Sequence, residues 1–227
     1  YLFLKELNKH YNGALSLAIQ FFRNSYSRKF FHQLISSQLD IDRLDYLTRD
    51  SFYTGVIEGT IGVDRIIAML TVHRDQLVVE EKGIYSIESF LNARRLMYWQ
   101  VYLHKTALSA ERMMVNIIRR AQYLLKAGED LPATEALKNF LLNDYQLSDF
   151  NENSALLDLF GQMDDNDIWG AIKMWRNSSD AILSGLCNRL VQRELFQVEL
   201  SAEPIKKSIV EKVRKEIHQI YGILNKD

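Results

Sequence analysis

The chain is poor in the residues that staple or break a fold. It has a single cysteine, Cys187, so an internal disulfide, a cysteine-based zinc site and a CxxC redox motif are all excluded. That fits a reducing compartment, and the expected location is the cytoplasm. Only two prolines, Pro132 and Pro204, and ten glycines interrupt 227 residues, which favours long helices. No apolar run reaches the roughly 18–20 residues that cross a bilayer, so no membrane partner is expected. Charge of either sign is not in excess: 28 Lys and Arg against 29 Asp and Glu leave a formal net charge of -1. Whole-chain electrostatics therefore point to neither nucleic acid nor a membrane surface, and any phosphate binding must come from local clusters.

What is present is a core-forming composition, with 47% hydrophobic, 11% aromatic and 25% charged residues. A chain of this length makes one large or two small domains. The first residues, Tyr1 to Tyr11, carry Lys5, Glu6 and Lys9 and no signal-peptide pattern. They lack an initiator Met and read as helix, from which the chain is expected to begin within a longer protein.

Apolar residues recur at helical spacing through Leu15, Ala18, Ile19 and Phe22, then Phe30, Phe31, Leu34 and Ile35. Gly55, Gly59 and Gly62 mark a loop after residues 40–53, and Val63–Leu70 reads as a short helix. Within residues 71–83, Leu77, Val78 and Val79 favour strand and Arg74-Asp75 suits a turn, which predicts a small β-hairpin. Ser86 is expected to start one unbroken helix to Ala127, ending at Gly128, with Arg119 and Arg120 near its end suited either to the helix dipole or to a regulatory nucleotide or subunit site. A soft boundary near residues 128–131 separates an expected first domain, 1–128, from a helical C-terminal domain, 129–227. There, Pro132 to Thr134 open a helix through Leu142, and 143–153 reads as a polar linker. Helices follow at about 155–163, 165–176 and 180–193, with a charged last helix at about 205–224. Asp164, Asp165 and Asp167 lack the spacing of a calcium loop and read as a helix cap before Ile168. His104 is expected to cap or pack, His32 to be a satisfied core histidine, and Trp99 to be core.

The most informative stretch is Ser36-Ser37-Gln38-Leu39-Asp40-Ile41-Asp42-Arg43-Leu44-Asp45-Tyr46-Leu47-Thr48-Arg49-Asp50, with four acids and two arginines in the eleven residues 40–50. If helical, it places Asp42, Asp45, Tyr46, Arg49 and Asp50 on one face. From spacing alone, such a face is a solvated surface laced with i,i+3 and i,i+4 ion pairs, or a site.

That string resembles the last metal-binding motif of the HD-domain dNTP triphosphohydrolases. The group includes bacterial dGTP triphosphohydrolases and the animal dNTPase with a sterile-alpha-motif domain. A second block, Ala93-Arg94-Arg95-Leu96-Met97-Tyr98-Trp99-Gln100-Val101-Tyr102-Leu103-His104-Lys105, resembles the later helix on which the family meets nucleotide. The resemblance covers roughly residues 1–125. It implies a mainly α fold: an HD-domain-like helical bundle with one small hairpin and a helical C-terminal region.

Carried over residue by residue, the resemblance makes Asp42 the carboxylate that completes a metal site for Mn, Mg, Fe, Ni or Zn. Arg43, where the family often has Lys, and Arg94 would contact the triphosphate, where a forked guanidinium suits phosphate oxygens. Tyr46 would pack on the sugar, Asp50 would accept a sugar hydroxyl bond, and Tyr102 would flank sugar and base. Tyr98 stands where the animal enzyme has His. Lys105 is a weaker phosphate candidate. The implied reaction is metal-assisted hydrolysis of a dNTP to deoxynucleoside and triphosphate, in a homo-oligomer. The family also needs a His and then a His-Asp pair upstream of the final Asp. No His-Asp dipeptide occurs here, and the five histidines are His10, His32, His73, His104 and His218. The expectation is therefore a fragment inactive by itself, whose parent carries the remaining ligands before Tyr1. The alternative is a non-catalytic nucleotide-sensing or oligomerisation module.

Overall fold

The computed structural model describes residues 1–198, 200–201 and 203–221. The chain divides into two compact units, Tyr1–Phe196 and Gln197–Asp227. In the second unit, α13 (Lys207–Tyr221) is an amphipathic helix carrying Ile209, Val213 and Ile217. The expected end of this last helix, at Leu224, lies outside the described residues.

The first unit opens with α1 (Leu2–His10), α2 (Ser16–Phe22) and α3 (Phe30–Ile35). His32 is partly buried, and its Nδ1 lies 2.9 Å from the Phe21 carbonyl, as expected of a satisfied histidine. Next comes α4 (Ile41–Thr54). Asp40 caps it, accepting the Arg43 backbone N–H at 2.9 Å. Gly55 ends it in the left-handed conformation at φ 71°, which favours glycine.

A 3₁₀ turn (Ile57–Gly59) and α5 (Val63–Met69) lead into the hairpin. Strands β1 (Leu70–His73) and β2 (Gln76–Val79) pair antiparallel, Leu70 opposite Val79 and His73 opposite Gln76. The turn residues Arg74 and Asp75 both have positive φ, 49° and 61°, the conformation a tight two-residue hairpin requires. Asp75 accepts the Lys29 backbone N–H at 2.7 Å, which ties the turn to the start of α3.

The expected continuous helix from Ser86 to Ala127 does not form. Instead α6 (Ile84–Met97) runs into a π-helical turn (Tyr98–Tyr102), and α7 (Lys105–Lys126) starts afresh. His104 adopts an extended conformation, and its Nδ1 accepts the Thr106 backbone N–H at 3.3 Å. It is thus a helix cap, the role its sequence position suggested. No Pro or Gly marks the break, so apolar periodicity runs straight through it. The wide turn also carries Trp99 outward to 74% exposure, where core burial had been expected.

Beyond α7 lie α8 (Glu135–Leu142), α9 (Leu147–Glu152), α10 (Ser154–Gly161), α11 (Asp165–Trp175) and α12 (Ala181–Gln192). The helix α9 falls within the expected polar linker. Its start is a reciprocal capping box between Gln146 and Asp149, which lets a polar stretch form a helical turn. Asp164 and Asp167 form a second such box at α11, the capping role read from the sequence.

Two apolar clusters hold this unit. The first joins α4, α5 and α6 through Leu44, Leu47, Ile66, Phe90, Ala93 and Met97. The second joins α7, α8, α11 and α12 around Ile117, Ile172, Trp175, Leu183 and Cys187. Trp175 donates its indole N–H to the Pro132 carbonyl at 2.9 Å. Arg120 reaches across to Asp180, the cap of α12, with contacts of 3.1 and 2.7 Å, so its role exceeds the helix-dipole reading. No helix among the described residues is long and apolar enough to cross a membrane.

Gly59 allows α4 and α6 to approach. A Cβ there would lie 2.5 Å from the Met97 sulfur and 3.0 Å from the Ser51 Cβ. Gly59→Ala is expected to lower stability by roughly 1–3 kcal/mol through overpacking. Gly62, with nothing within 4 Å of its added Cβ, is the control. Gly62→Ala should shift stability by about 1 kcal/mol or less. Urea denaturation of both variants checks the contrast, and equal effects would refute the close-packing account.

Candidate active site

The site forms where α4 meets the C-terminal end of α6 and its π turn. Leu44, Leu47 and Ser51 face the core, which turns Arg43, Tyr46 and Asp50 together toward a second, partly buried side of α4. The first apolar cluster holds α6 against this helix, with Met97 fully buried.

The decisive contact crosses the two elements. The Tyr102 hydroxyl donates to Asp50 Oδ2 at 2.6 Å. Tyr46 meets the Tyr102 ring edge-on, with centroids 6.1 Å apart, and Tyr98 meets it at 5.1 Å. The Arg94 guanidinium lies 5.8 Å from the Tyr98 ring centroid. Arg94 Nη1 also donates to Gln38 Oε1 at 3.2 Å. Six of the eight residues singled out from the sequence thus share one region: Arg43, Tyr46, Asp50, Arg94, Tyr98 and Tyr102.

Electrostatics agree with the geometry. Burial pushes the Tyr46 phenol upward, with Tyr98 adding to it, while the positive fields of Arg94 and Arg43 pull it back. Both arginines therefore act at Tyr46. Burial also pushes the Tyr102 phenol well above the ordinary tyrosine value, reinforced by its bond to the Asp50 carboxylate. Tyr102 is a proton-bearing donor at neutral pH.

Asp42 and Lys105 stand apart. Both are exposed, and neither has a hydrogen-bond or ion-pair partner among the described residues. The buried carboxylate at the start of α4 is Asp40, 2% exposed, and not Asp42. Asp40 Oδ2 bonds Arg43 Nη1 and also accepts the Ser37 backbone N–H at 3.1 Å. Arg43 Nε is buried without a hydrogen-bond partner. Asp45 and Arg49, placed on the same face by spacing, form an exposed i,i+4 ion pair outside the cluster. For those two the solvated-face reading holds, and such a pair contributes only about 0.3–0.5 kcal/mol.

Two members of the site escaped sequence reasoning, Gln38 and Asp40. Asp40 carried a usable signal, since an acid three residues before Arg43 can cap a helix beginning at Ile41. Gln38 carried none, because its partner Arg94 is 56 residues away.

Among the described residues, no group of three or more His, Cys, Asp or Glu side chains converges enough to hold a metal ion. One exposed carboxylate does not make a metal site, so these residues do not hold a metal unaided. They do offer two guanidinium groups, three phenols and a carboxylate. That set suits a ligand carrying negative oxygens at one end and a hydroxylated ring at the other. An apolar cavity of about 460 Å³ also adjoins α4, lined by Leu34, Leu39, Leu44, Val63 and Ile67 among others. Its lining suits hydrophobic side chains, not phosphate.

Residues 61–154 match the family described as HD associated region. That span includes Arg94, Tyr98, Tyr102 and Lys105 and excludes residues 40–50. The crystal structure of a phosphohydrolase from Bacteroides thetaiotaomicron superposes with a TM-score of 0.93 at 53% identity, over 98% of this chain and 55% of that one. The findings support membership of the HD superfamily. The uncharacterized protein YwfO of Bacillus subtilis is 38% identical over 173 residues, 76% of this chain and 38% of YwfO. A deoxynucleoside triphosphate triphosphohydrolase, the SAMHD1 homolog of Dictyostelium discoideum, is 30% identical over 108 residues, 46% of this chain and 21% of that protein. The chain thus spans about half or less of the length of these relatives.

Tyr102→Phe removes the donor to Asp50 and is expected to lower unfolding free energy by roughly 1.5–3 kcal/mol at pH 7. The phenol's ionisation is raised on folding, so its contribution is whole below about pH 10 and declines as pH rises further. Urea denaturation of both proteins should give a constant difference from pH 7 to 9 and a smaller one at pH 10.5. A difference that grew with pH would contradict the bond.

Proposed function

We propose that this chain forms the nucleotide-binding part of an HD-superfamily phosphohydrolase acting on deoxynucleoside triphosphates. The observation that carries this reading is the junction of Arg94, Tyr98 and Tyr102 on one element with Tyr46 and Asp50 on another. Phosphate oxygens would meet Arg94 and Arg43, whose forked donors neutralise charge that develops during phosphoryl-bond cleavage. The sugar would lie against the Tyr46 ring. The Asp50 carboxylate would accept a sugar hydroxyl bond, using lone pairs not taken by Tyr102. The edge-on tyrosines would flank the sugar and orient it. Tyr98 supplies a phenol where the animal family member has an imidazole, so any proton-transfer task at that place differs here.

Asp42 is a free carboxylate on the same helix, and in this reading it contributes one ligand to a divalent metal site completed by residues beyond those described. A divalent ion there would supply Lewis acidity toward a phosphoryl oxygen. The relatives support the reading, since one is a phosphohydrolase and another a deoxynucleoside triphosphate triphosphohydrolase.

The test uses the longer natural protein that contains this chain. Each dNTP is supplied with Mn²⁺ or Mg²⁺, and deoxynucleoside and triphosphate are quantified. Asp42→Ala and metal chelation are each expected to reduce release at least about 100-fold. Arg94→Ala should reduce it roughly 10- to 100-fold. Unchanged release in Asp42→Ala would remove Asp42 from the site. Thermal stabilisation by dNTPs with no turnover of any of them would replace the enzyme reading with nucleotide sensing.

A further inference from the structure

Both arginines of the site are held by one short turn at the head of the motif stretch. Residues 36–40 connect α3 to α4. Within the turn, the Leu39 backbone N–H bonds Ser37 Oγ at 3.2 Å and the Ser37 backbone N–H bonds Asp40 Oδ2 at 3.1 Å. Leu39 packs on the first apolar cluster, which anchors the turn from below. Gln38, between these fixed points, presents Oε1 to Arg94 Nη1 at 3.2 Å. Asp40 takes the backbone N–H of Arg43 at 2.9 Å and also its Nη1.

We infer that Gln38 and Asp40 are positioning residues, which hold Arg94 and Arg43 in place for a polyphosphate chain. This deepens the proposed function and rests on it. An arginine that grips phosphate must surrender rotamer freedom, and one already held has surrendered it beforehand. The two grips differ in kind. Gln38 is a neutral amide, so it orients Arg94 while leaving its charge undiminished toward an anion. Asp40 is a buried carboxylate that offsets part of the Arg43 charge. Arg43 Nε is buried and makes no hydrogen bond.

The experiment measures ¹⁵N relaxation of the arginine Nε–Hε groups in the 227-residue chain, with exposed Arg95 as internal reference. In the wild type, Arg43 and Arg94 should show order near that of rigid backbone, about 0.85, and Arg95 below about 0.6. Gln38→Leu should mobilise Arg94 alone. Asp40→Asn, which keeps a cap acceptor for α4, should mobilise Arg43 alone. Inorganic triphosphate is then titrated calorimetrically. Gln38→Leu should weaken its binding roughly 10-fold, with no further loss in an Arg94→Ala background. Gln38→Glu should keep Arg94 rigid yet also weaken binding, because it neutralises the guanidinium.

Arginines as mobile as Arg95 in the wild type, or unmoved by the substitutions, would overturn the positioning role and leave the proposed function standing. Relaxation as expected, with no triphosphate binding or with binding indifferent to Arg43→Ala and Arg94→Ala, would overturn the phosphate reading. The grip would then be purely structural.

Discussion

The hydrogen bond from Tyr102 to Asp50 joins the two elements that make the site. Asp50 lies on the third turn of α4, and Tyr102 ends the π turn after α6. Neither helix alone can bring a carboxylate, two guanidiniums and three phenols together. Their approach depends in turn on packing beneath. Met97 and Leu47 are fully buried, and Gly59 has no side chain to hold the helices apart. A bond to a carboxylate contributes roughly 1.5–3 kcal/mol, whereas burying a Leu or Met side chain contributes about 1.5–3 kcal/mol for each of several residues. Apolar packing therefore decides that α4 and α6 meet, and the polar bond decides the register in which they do.

The π turn is the second constraint. Within it Tyr98 lies beside Tyr102, and Trp99 faces solvent. His104 follows it and caps the next helix with its ring nitrogen.

Acidic residues crowd the start of α4, and burial sorts them. Asp40 is buried, caps the helix and binds Arg43, so removing it would strand a partly buried guanidinium at a cost of about 3–5 kcal/mol. Asp45 pairs with Arg49 at the surface, where the gain is a few tenths of a kcal/mol. Asp42 pairs with nothing among the described residues. The helix thus uses one acid for stability and one for surface pairing, and leaves Asp42 uncommitted for a ligand.

The sequence alone determined the mainly helical class, the hairpin with its Arg74-Asp75 turn, and most helix ends. Those are local matters of backbone freedom, capping and apolar period, settled within a few residues of each position. It also supplied the pattern linking residues 40–50 and 93–105 to a known family, and six of those eight candidates do converge. Tertiary structure alone decided that a seemingly unbroken helix divides before His104 and that Trp99 faces water. It also decided that Asp40 and not Asp42 is the buried acid, and that Gln38 meets Arg94 across 56 residues of sequence. Such outcomes depend on which surfaces are brought into contact, and a spacing rule confined to one helix carries no information about the surface it will face.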